Sequence, residues 1–285
     1  MTTFNRAAYI LESVKSVQEQ SYTNWELIIV DDGSQDNTKE LIDALNDKRI
    51  LFHEAGKTGL GVRLKSIGIR RSDGELIAFI DSDDLWEPVK LAKQVAAMQA
   101  YPGAGFCITG GYNFYEKDEP VEYFYPERQG IYYGNIFLFF FRSKASVFPQ
   151  TLMMRRDCLP VIEQCVQTSP GSDVDFLLEL ALQYQALIVY ESLLRRRLHP
   201  ASFSHSNWIT GYEEGIEVIR RYQKRKQLSA GMAKDSLFRL YINFGESYYS
   251  RNCLGKALIK LWHAWIFKPY SIVPLKKSAK FMLGM

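Results

Sequence analysis

The chain has 285 residues, of which 47% are hydrophobic and 24% are charged, an ordinary composition for a globular protein with a sizeable core. Its net charge is only +3, but residues 206–285 hold 14 Lys and Arg against 5 Asp and Glu, whereas residues 1–205 hold 21 against 27. This distribution argues against a nucleic-acid-binding protein built around one basic fold. It suits an enzyme whose basic end meets an anionic surface such as a membrane.

Cysteine usage and apolar runs bear on the cellular compartment. The four cysteines (Cys107, Cys158, Cys165 and Cys253) lack metal-ligand spacing, so we predict reduced, mostly buried thiols and no zinc site. The N-terminus has no signal-peptide pattern. The most apolar run, residues 136–141, is far shorter than the ~20 residues of a membrane span. We therefore predict a cytoplasmic protein, soluble or peripheral on the cytoplasmic face of the membrane.

Strands and helices alternate through the first hundred residues. Apolar spacing and turn residues predict helices at 5–20, 61–70 and 88–100 and strands at 25–30, 49–53 and 75–80. Asn37 followed by Glu40 predicts a capping box for a further helix. The strands are apolar on both faces, which indicates a parallel sheet covered by helices on both sides.

The rest of the chain is less regular and then helical. The pattern predicts strands at 106–115, 150–154 and 186–190, a helix at 175–184, further helices at 212–227, 233–250 and 254–267, and a basic tail with Lys276, Lys277 and Lys280. We therefore expect an all-helical C-terminal region after an α/β body.

Two acidic groups follow predicted strands, at the sheet edge where α/β proteins bind ligands. Asp81, Asp83 and Asp84 lie within four residues, and three such carboxylates repel one another unless a cation lies between them. Mg²⁺ typically takes one or two carboxylates together with substrate phosphates. The alternative interpretation is an acid-rich helix N-terminus, which the helix dipole favours.

Asp31 and Asp32 end the strand before them and precede Gly33. A carboxylate in this position can accept the imide N–H of uracil or bind a ribose hydroxyl. The alternative is an ordinary strand-to-helix turn, in which Asp and Gly are common.

Several separated motifs occur in order. They are residues 4–7 (FNRA), 20–24 (QSYTN), 30–34 (VDDGS) with 36–38 (DNT), and 78–86 (AFIDSDDLW). Together they closely resemble glycosyltransferase family two, a group of inverting enzymes with the GT-A fold. The resemblance is dense over residues 2–100 and thinner to about residue 204. It implies a Rossmann-like α/β domain with a mixed, mostly parallel sheet. Residues 1–105 would form its nucleotide-sugar-binding half and 106–205 its acceptor-binding half, with helices at 206–285.

The resemblance implies roles for the matching positions. Thr2, Phe4, Asp31 and Asp32 would line the nucleotide pocket, with Phe4 against the base. Asp83 would be the chief ligand of Mg²⁺ or Mn²⁺ in a DxD-type motif. Asp81 would approach the ribose or the metal, and Asp84 would support either.

Two later segments also match. Residues 171–178 resemble the acceptor-side segment, which puts Asp173 at the position of the catalytic base. An inverting displacement needs a carboxylate that takes the proton of the acceptor hydroxyl. The alternative for Asp173 is a helix N-cap. Residues 195–200 with Ser202 and Ser204 resemble a late Arg-x-His-Pro segment, in which Arg197 or His199 would contact the diphosphate. The alternative there is a solvated charge run beside a turn.

The chain departs from the family pattern at three places. The family has an apolar strand just upstream of the positions matching Thr2 and Phe4. We predict that the native product starts upstream of Met1 or that this strand is substituted, since its loss would open the sheet. Lys65 and Ser66 stand where the family has an Arg-Asn pair. Lys65 is nevertheless expected among the donor-binding residues. Ser172 replaces the Glu that usually precedes the base.

We therefore predict a metal-dependent inverting glycosyltransferase. It would move a sugar from a nucleoside diphosphate-sugar to a glycan or lipid-linked acceptor in cell-surface polysaccharide or glycolipid synthesis, with no nucleic-acid partner. One alternative is a sugar nucleotidyltransferase, although the expected Gly-rich phosphate loop is missing; another is a non-catalytic paralogue that binds a sugar nucleotide or a partner. Trp262, Trp265 and the C-terminal lysines would rest on an anionic membrane or belong to a helical cap on the catalytic domain.

Overall fold

The structure is a computed structural model that describes residues 1–115, 119–142, 148–169, 173–200, 202 and 206–283. The chain divides into two compact units. One comprises Met1–Phe140 and Lys144–His199, and the other comprises Phe141–Ser143 and Pro200–Met285.

The elements before residue 200 alternate between strands and helices over much of their length. The helices are α1 (Ile10–Gln18), α2 (Thr38–Asp43), α3 (Gly61–Arg70), α4 (Lys90–Ala100), α5 (Phe137–Arg142), α6 (Leu159–Thr168) and α7 (Asp173–Gln183). The strands are β1 (Thr2–Thr3), β2 (Leu27–Asp31), β3 (Ile50–Glu54), β4 (Leu76–Ala78), β5 (Leu85–Trp86), β6 (Ala104–Phe114), β7 (Pro120–Tyr123), β8 (Ile131–Gly134), β9 (Met153–Arg155) and β10 (Gln185–Arg197). The predicted α/β class is confirmed.

These strands form two sheets where one was expected. The first is parallel throughout and has the order β1-β2-β3. The second has the order β4-β9-β6-β10-β5, with β7 on β6 and β8 on β10, and it is mixed. The break falls between β2 and β4. There, β1 supplies only two residues, and Thr2 makes a single parallel bridge to Asp81.

The core explains why β2 and its neighbours form. All five residues of β2 are buried, and Ile28 and Val30 pack against Leu64 of α3. In α1 the buried apolar residues Ile10, Val14 and Val17 recur at spacings of four and three, which is helical. Burying each such side chain stabilises the fold by about 1.5–3 kcal/mol.

Two local predictions are wrong. The capping box does not form, because Asn37 makes no side-chain cap hydrogen bond; instead Asp36 Oδ1 accepts a hydrogen bond from the N–H of Thr38 at 3.2 Å. The strand predicted to end at residue 190 continues to Arg197. Arg197 is buried, so the solvated-run interpretation does not hold for it.

The second unit is helical, as predicted. Its helices are α8 (Trp208–Lys224), α9 (Ala230–Tyr249), α10 (Leu254–Phe267) and α11 (Val273–Met282). The predicted basic tail is therefore the helix α11. The helices α9 and α10 approach closely at Gly245, where an added Cβ would lie 3.1 Å from the Leu261 side chain.

Two further predictions concern cysteines and membrane spans. All four cysteines are free; Cys107, Cys158 and Cys165 are buried and Cys253 is exposed. No helix within the described part of the chain combines the length and the apolar content that crossing a membrane requires.

Candidate active site

The N-terminal motif and the acidic turn after β2 form one connected loop structure. The backbone N–H of Asn5 donates to Ser34 Oγ at 2.8 Å, and Asn5 Oδ1 accepts from the N–H of Gln35 at 2.7 Å. Nearby, the N–H of Ala7 donates to Asp36 Oδ2 at 3.0 Å. Asn5 has a φ of 49°, a left-handed conformation that Asn tolerates better than most residues. The first and third motifs of the sequence therefore share hydrogen bonds.

Asp31 and Asp32 both order backbone at the edge of the parallel sheet. Asp31 Oδ2 accepts from the N–H groups of Gly33 at 3.0 Å and Ser34 at 2.8 Å, which fixes the turn after β2. Asp32 reaches across to the loop before α3, where the N–H of Gly59 donates to its Oδ1 and Oδ2 at 3.1 and 3.0 Å. Their predicted contacts with the donor nucleotide stay predictions, but both carboxylates fix the backbone of these two loops.

Thr2 and Phe4 lie at the same edge. Thr2 pairs with Val30 on one side and with Asp81 on the other, so β1 places Phe4 between the two acidic segments of the chain. The Phe4 side chain is 39% exposed, and Lys57 Nζ lies 5.9 Å from the centre of its ring. An exposed aromatic face beside a cation is available for stacking with a base.

The acidic cluster lies directly after β4. Asp81, Asp83 and Asp84 each offer a carboxylate oxygen, and these oxygens lie within 4.8 Å of one another. Asp83 Oδ2 accepts a hydrogen bond from Arg6 Nε at 3.1 Å and lies 3.1 Å from His199 Nε2. The two basic side chains therefore contact the same oxygen of Asp83.

Burial and mutual repulsion raise the pKa of two of the three carboxyl groups in the cluster. Burial, only partly offset by Lys65, raises the pKa of Asp81, and the charges of Asp83 and Asp173 raise it further. Burial and the charges of Asp83 and Asp81 raise the pKa of Asp84 well above its usual value. Three closely spaced carboxylate oxygens, two of them on groups whose pKa is raised, fit a hard divalent cation such as Mg²⁺ or Mn²⁺.

Lys65 joins the two halves of the site. Its Nζ donates to Asp173 Oδ1 and Oδ2 at 2.9 Å each. Burial lowers the pKa of Lys65, but the charges of Asp173 and Asp81 outweigh burial and raise it above its usual value. Asp173 is the first residue of α7, so α3 and α7 together bring the predicted base to the acidic cluster.

Arg197 and His199 support the cluster from the end of β10. The N–H of Arg197 donates to Asp84 Oδ1 at 2.9 Å, and Arg197 Nε donates to the carbonyl oxygen of Asp83 at 3.1 Å. The ring of His199 lies 4.5 Å from that of Tyr9. Both predicted diphosphate-binding residues are thus adjacent to the acidic cluster, and their contact with a diphosphate stays a prediction.

Sequence reasoning missed three residues of the site. Arg6 belongs to the N-terminal motif and, beside Phe4, its position could have indicated a role. Gln150 Nε2 donates to Asp81 Oδ2, and Glu12 accepts from the Arg197 guanidinium; neither stands out in its local sequence. Ser172 and Ser204 lie outside the described residues, and Ser66 is buried in α3.

Proteins with similar sequences are named glycosyltransferases. WfgD of Escherichia coli, named UDP-Glc:alpha-D-GlcNAc-diphosphoundecaprenol beta-1,3-glucosyltransferase, is 39% identical over 100 residues, which are 34% of this chain and 39% of WfgD. The glycosyltransferase GlyG of Streptococcus pneumoniae is 33% identical over 125 residues, or 43% of this chain and 40% of GlyG. The chain thus matches about two fifths of the length of these relatives.

Solved structures and a family model extend the likeness. The structure of Staphylococcus aureus TarS 1-349 in complex with UDP-GlcNAc has a TM-score of 0.65 at 14% identity, covering 100% of this chain and 90% of that chain. At this identity the likeness shows the fold, which is the expected GT-A-type fold. The sequence model of Glycosyl transferase family 2 matches residues 1–160. The chain belongs to glycosyl transferase family 2.

Proposed function

We propose that the protein is an inverting glycosyltransferase that moves a sugar from a nucleoside diphosphate-sugar to an acceptor hydroxyl. The proposal rests on Lys65, whose ammonium group interacts with two carboxylates that are far apart in the sequence, Asp173 and Asp81. Lys65 binds Asp173 through both oxygens at 2.9 Å, and its charge also acts on Asp81. A candidate base and a candidate metal ligand therefore face one buried ammonium group.

In this proposal Asp83 and Asp81 hold Mg²⁺ or Mn²⁺. The metal supplies charge neutralisation for the diphosphate leaving group. Arg6 and His199 contact Oδ2 of Asp83 and fix the orientation of its carboxylate. Asp84, bonded to the backbone of Arg197, anchors the loop to β10.

Asp173 is the proposed general base. Its carboxylate accepts the proton of the acceptor hydroxyl as the hydroxyl oxygen attacks the anomeric carbon and the bond to the diphosphate oxygen breaks. The transition state resembles an oxocarbenium ion, as in glycoside hydrolysis. Lys65 fixes the orientation of the carboxylate until the acceptor arrives, because its ammonium group donates to both oxygens of Asp173.

The named partners of similar proteins support a UDP-sugar donor and a lipid-linked acceptor. One crystal structure of TarS is a complex with UDP-GlcNAc. The name of WfgD gives UDP-Glc as the donor and a diphosphoundecaprenol-linked sugar as the acceptor. We place this protein in the same chemical class, acting in the synthesis of a cell-surface polysaccharide or glycolipid.

The experiment is a donor screen followed by turnover. Nucleotide-sugars are tested with and without Mn²⁺ for thermal stabilisation, because a ligand that binds the folded state raises its stability. Sugar release or transfer is then compared for wild type, Asp83→Ala and Asp173→Asn. We expect Asp83→Ala to abolish the Mn²⁺-dependent stabilisation by the donor, and Asp173→Asn to keep donor binding but lose transfer.

The same experiment separates the alternatives. Equal turnover in wild type and both variants would refute the catalytic assignment. Donor binding without any turnover in the wild type would favour a non-catalytic paralogue. Formation of a nucleotide-sugar from a nucleoside triphosphate and a sugar phosphate would favour a nucleotidyltransferase.

We also propose that the second unit rests on an anionic membrane from the cytoplasmic side. In α10, Ala257, Leu261 and Ala264 form the buried face. The apolar residues Ile259, Trp262 and Ile266 form another face and are 54%, 59% and 50% exposed. A helix that is apolar on two faces needs a second apolar environment.

Lysines adjoin this second face. The exposed apolar residues continue into α11 with Leu275 and Met282, and Lys276 and Lys280 of the same helix are exposed as well. Apolar side chains flanked by lysines are typical of helices that lie in the interface of an anionic bilayer. A sedimentation assay with phosphatidylglycerol vesicles at low salt tests this arrangement, and a protein that stays in the supernatant would refute it.

A further inference from the structure

Gln150 presents the two ends of its side-chain amide to different surroundings. The residue lies in the 3₁₀ turn Pro149–Thr151, just before β9, and only 8% of its surface is exposed. Its Nε2 donates a hydrogen bond to Asp81 Oδ2 in the acidic cluster. Its Oε1 is buried and accepts no hydrogen bond from the residues that the structure describes. One end of the amide is therefore bound to the cluster, and the other end is unsatisfied.

The carboxylate of Asp81 determines this orientation of the amide. An ionised carboxylate only accepts hydrogen bonds, so the NH₂ group of Gln150, and not its carbonyl oxygen, must face it. Turning the amide over would bring two acceptor oxygens together and break the bond to Asp81. The unsatisfied carbonyl oxygen thus follows from the contact with the acidic cluster.

Gln20, another buried glutamine, has partners at both ends of its amide. Its Nε2 donates to the carbonyl oxygens of Ser16 at 3.0 Å and Glu87 at 2.8 Å. Its Oε1 accepts from the N–H of Leu91 at 2.9 Å. This is the usual condition of buried polar groups, because an unpaired one destabilises the fold. Proteins tend to depart from that condition where function requires it, and Gln150 departs from it beside the acidic cluster.

We propose that Gln150 is a positioning residue, which fixes the Asp81 carboxylate for cation binding while its own carbonyl oxygen stays unsatisfied. This role rests on the proposed function, in which Asp81 and Asp83 hold Mg²⁺ or Mn²⁺. Carboxylates that bind a metal are themselves held by hydrogen bonds, and loss of such a bond lowers metal affinity about 10–100-fold.

Asp81 needs a direct hydrogen bond because the charges around it act in different directions. Asp83 and Asp173 repel its carboxylate, whereas Lys65 attracts it. The ammonium group of Lys65, however, donates its hydrogen bonds of 2.9 Å to Asp173. Gln150 supplies the hydrogen bond to Asp81, and as a neutral group it adds no charge that would compete with the cation.

Gln150→Met tests this role, because methionine has a similar length and no amide. The substitution removes the bond to Asp81 and the unsatisfied oxygen together, so the midpoint of urea denaturation without metal should change little. Gln20→Met is the matched control. It leaves the backbone groups that Gln20 binds without their partners, so its midpoint should fall clearly.

Binding of Mn²⁺ alone is then measured from the electron paramagnetic resonance signal of the free ion. We expect Gln150→Met to raise the dissociation constant for Mn²⁺ about tenfold or more and Gln20→Met to leave it unchanged. Gln150→Asn keeps an amide that is too short to reach Asp81. It should weaken Mn²⁺ binding to the same extent, and it replaces the methionine variant where that variant does not fold.

The outcomes distinguish failure of this role from failure of the proposed function. If Mn²⁺ binds the wild type and is lost in Asp83→Ala, the metal site stands, and undiminished affinity in Gln150→Met or Gln150→Asn would then overturn the positioning role. A wild type that binds no Mn²⁺ would overturn the metal site and the positioning role together. A urea midpoint that falls in Gln150→Met as far as in Gln20→Met, with Mn²⁺ affinity kept, would show that Gln150 is an ordinary core residue.

Discussion

Lys65 and Asp173 are 108 positions apart in the chain, yet Lys65 Nζ lies 2.9 Å from both carboxylate oxygens of Asp173. The lysine side chain is 6% exposed and that of Asp173 is 34% exposed. The lysine end of the pair is therefore inside the protein, and the aspartate end opens to solvent. This asymmetry suits a general base, because the Asp173 carboxylate is accessible to an acceptor while the buried Lys65 ammonium group fixes its position.

Replacing Lys65 by Met is expected to destabilise the fold and reduce transfer. The variant leaves Asp173 and Asp81 without their shared cation, which costs about 2 kcal/mol, less than for a fully buried pair because Asp173 is partly solvated. We expect kcat to fall about 100-fold, because Asp173 loses the charge that orients it. Urea denaturation and steady-state kinetics measure the two effects.

Two variants control this experiment. Lys65→Arg keeps a cation that can bind a carboxylate through two hydrogen bonds, so it should retain most of the activity. Lys39→Met removes a lysine from the exposed pair with Glu54 and should leave the stability nearly unchanged. Normal kcat in Lys65→Met would show that the pair has no part in the reaction.

Phe4 is expected to contribute donor affinity without contributing to the chemical step. Stacking of a base on an aromatic side chain is worth about 1–3 kcal/mol, so Phe4→Ala should raise the KM for the donor about tenfold and leave kcat nearly unchanged. Phe4→Trp should preserve the affinity. Leu11→Ala is a matched truncation, since Leu11 is similarly exposed at 38%; an equal rise in KM there would contradict the stacking role.

Much of this site could be predicted from local sequence. Asp31, Asp83 and Phe4 belong to motifs whose residue types already indicate turns, cation binding and stacking, and these motifs follow β2, β4 and β1, with β1 adjoining both acidic segments. The alternation of apolar strands with helices was sufficient to predict the α/β class, because the spacing of apolar residues in each segment indicates which faces of that segment are buried.

Other features depend on long-range contacts that no local pattern contains. Gln150 meets Asp81 only because a turn before β9 folds back onto the acidic cluster, and Glu12 meets Arg197 across the length of the chain. The strand β10 extends through three arginines because its pairing with β6 continues to Phe114. A run of charges gives no sign of such pairing, since strand propensity yields to tertiary context.

Reversing two charges on α11 is expected to weaken membrane association. Each lysine near an anionic surface contributes about 1 kcal/mol, so Lys276→Glu combined with Lys280→Glu should reduce binding to phosphatidylglycerol vesicles at least tenfold. Added salt should weaken the wild type in the same direction. Sedimentation over a range of lipid concentrations measures the change.

A charge reversal at a lysine elsewhere on the surface is the control for this experiment. Lys15→Glu reverses a well-exposed lysine of the first unit, whose side chain is 71% exposed, and should leave vesicle binding nearly unchanged. Trp262→Ser keeps every charge and should still weaken binding by removing apolar contact. Equal losses in the Lys15 and α11 variants would indicate a general charge effect and contradict a specific membrane face.

Lys90 is a buried cation away from the site, and it makes stability depend on pH. Its side chain is fully buried, its Nζ donates to Gln94 Oε1 at 2.6 Å and lies 4.2 Å from the centre of the Trp86 ring. Burial lowers the pKa of Lys90 from 10.5 to about 7. Between these values the unfolded chain binds the extra proton, so the stability contributed by this residue rises with pH and is lost as pH falls towards 7.

Lys90→Met removes this dependence. At pH 7 we expect the variant to be about 1–2 kcal/mol more stable than the wild type, because removing the buried amine outweighs the lost hydrogen bond to Gln94. By pH 10 the wild-type amine is neutral in the folded protein at little cost, so the advantage should shrink by about 3 kcal/mol and change sign. Denaturation at both values measures the difference. Lys93→Met, which alters the partly exposed pair with Glu191, should show no comparable reversal, and a difference for Lys90→Met that stays constant with pH would mean that Lys90 keeps its proton in the fold.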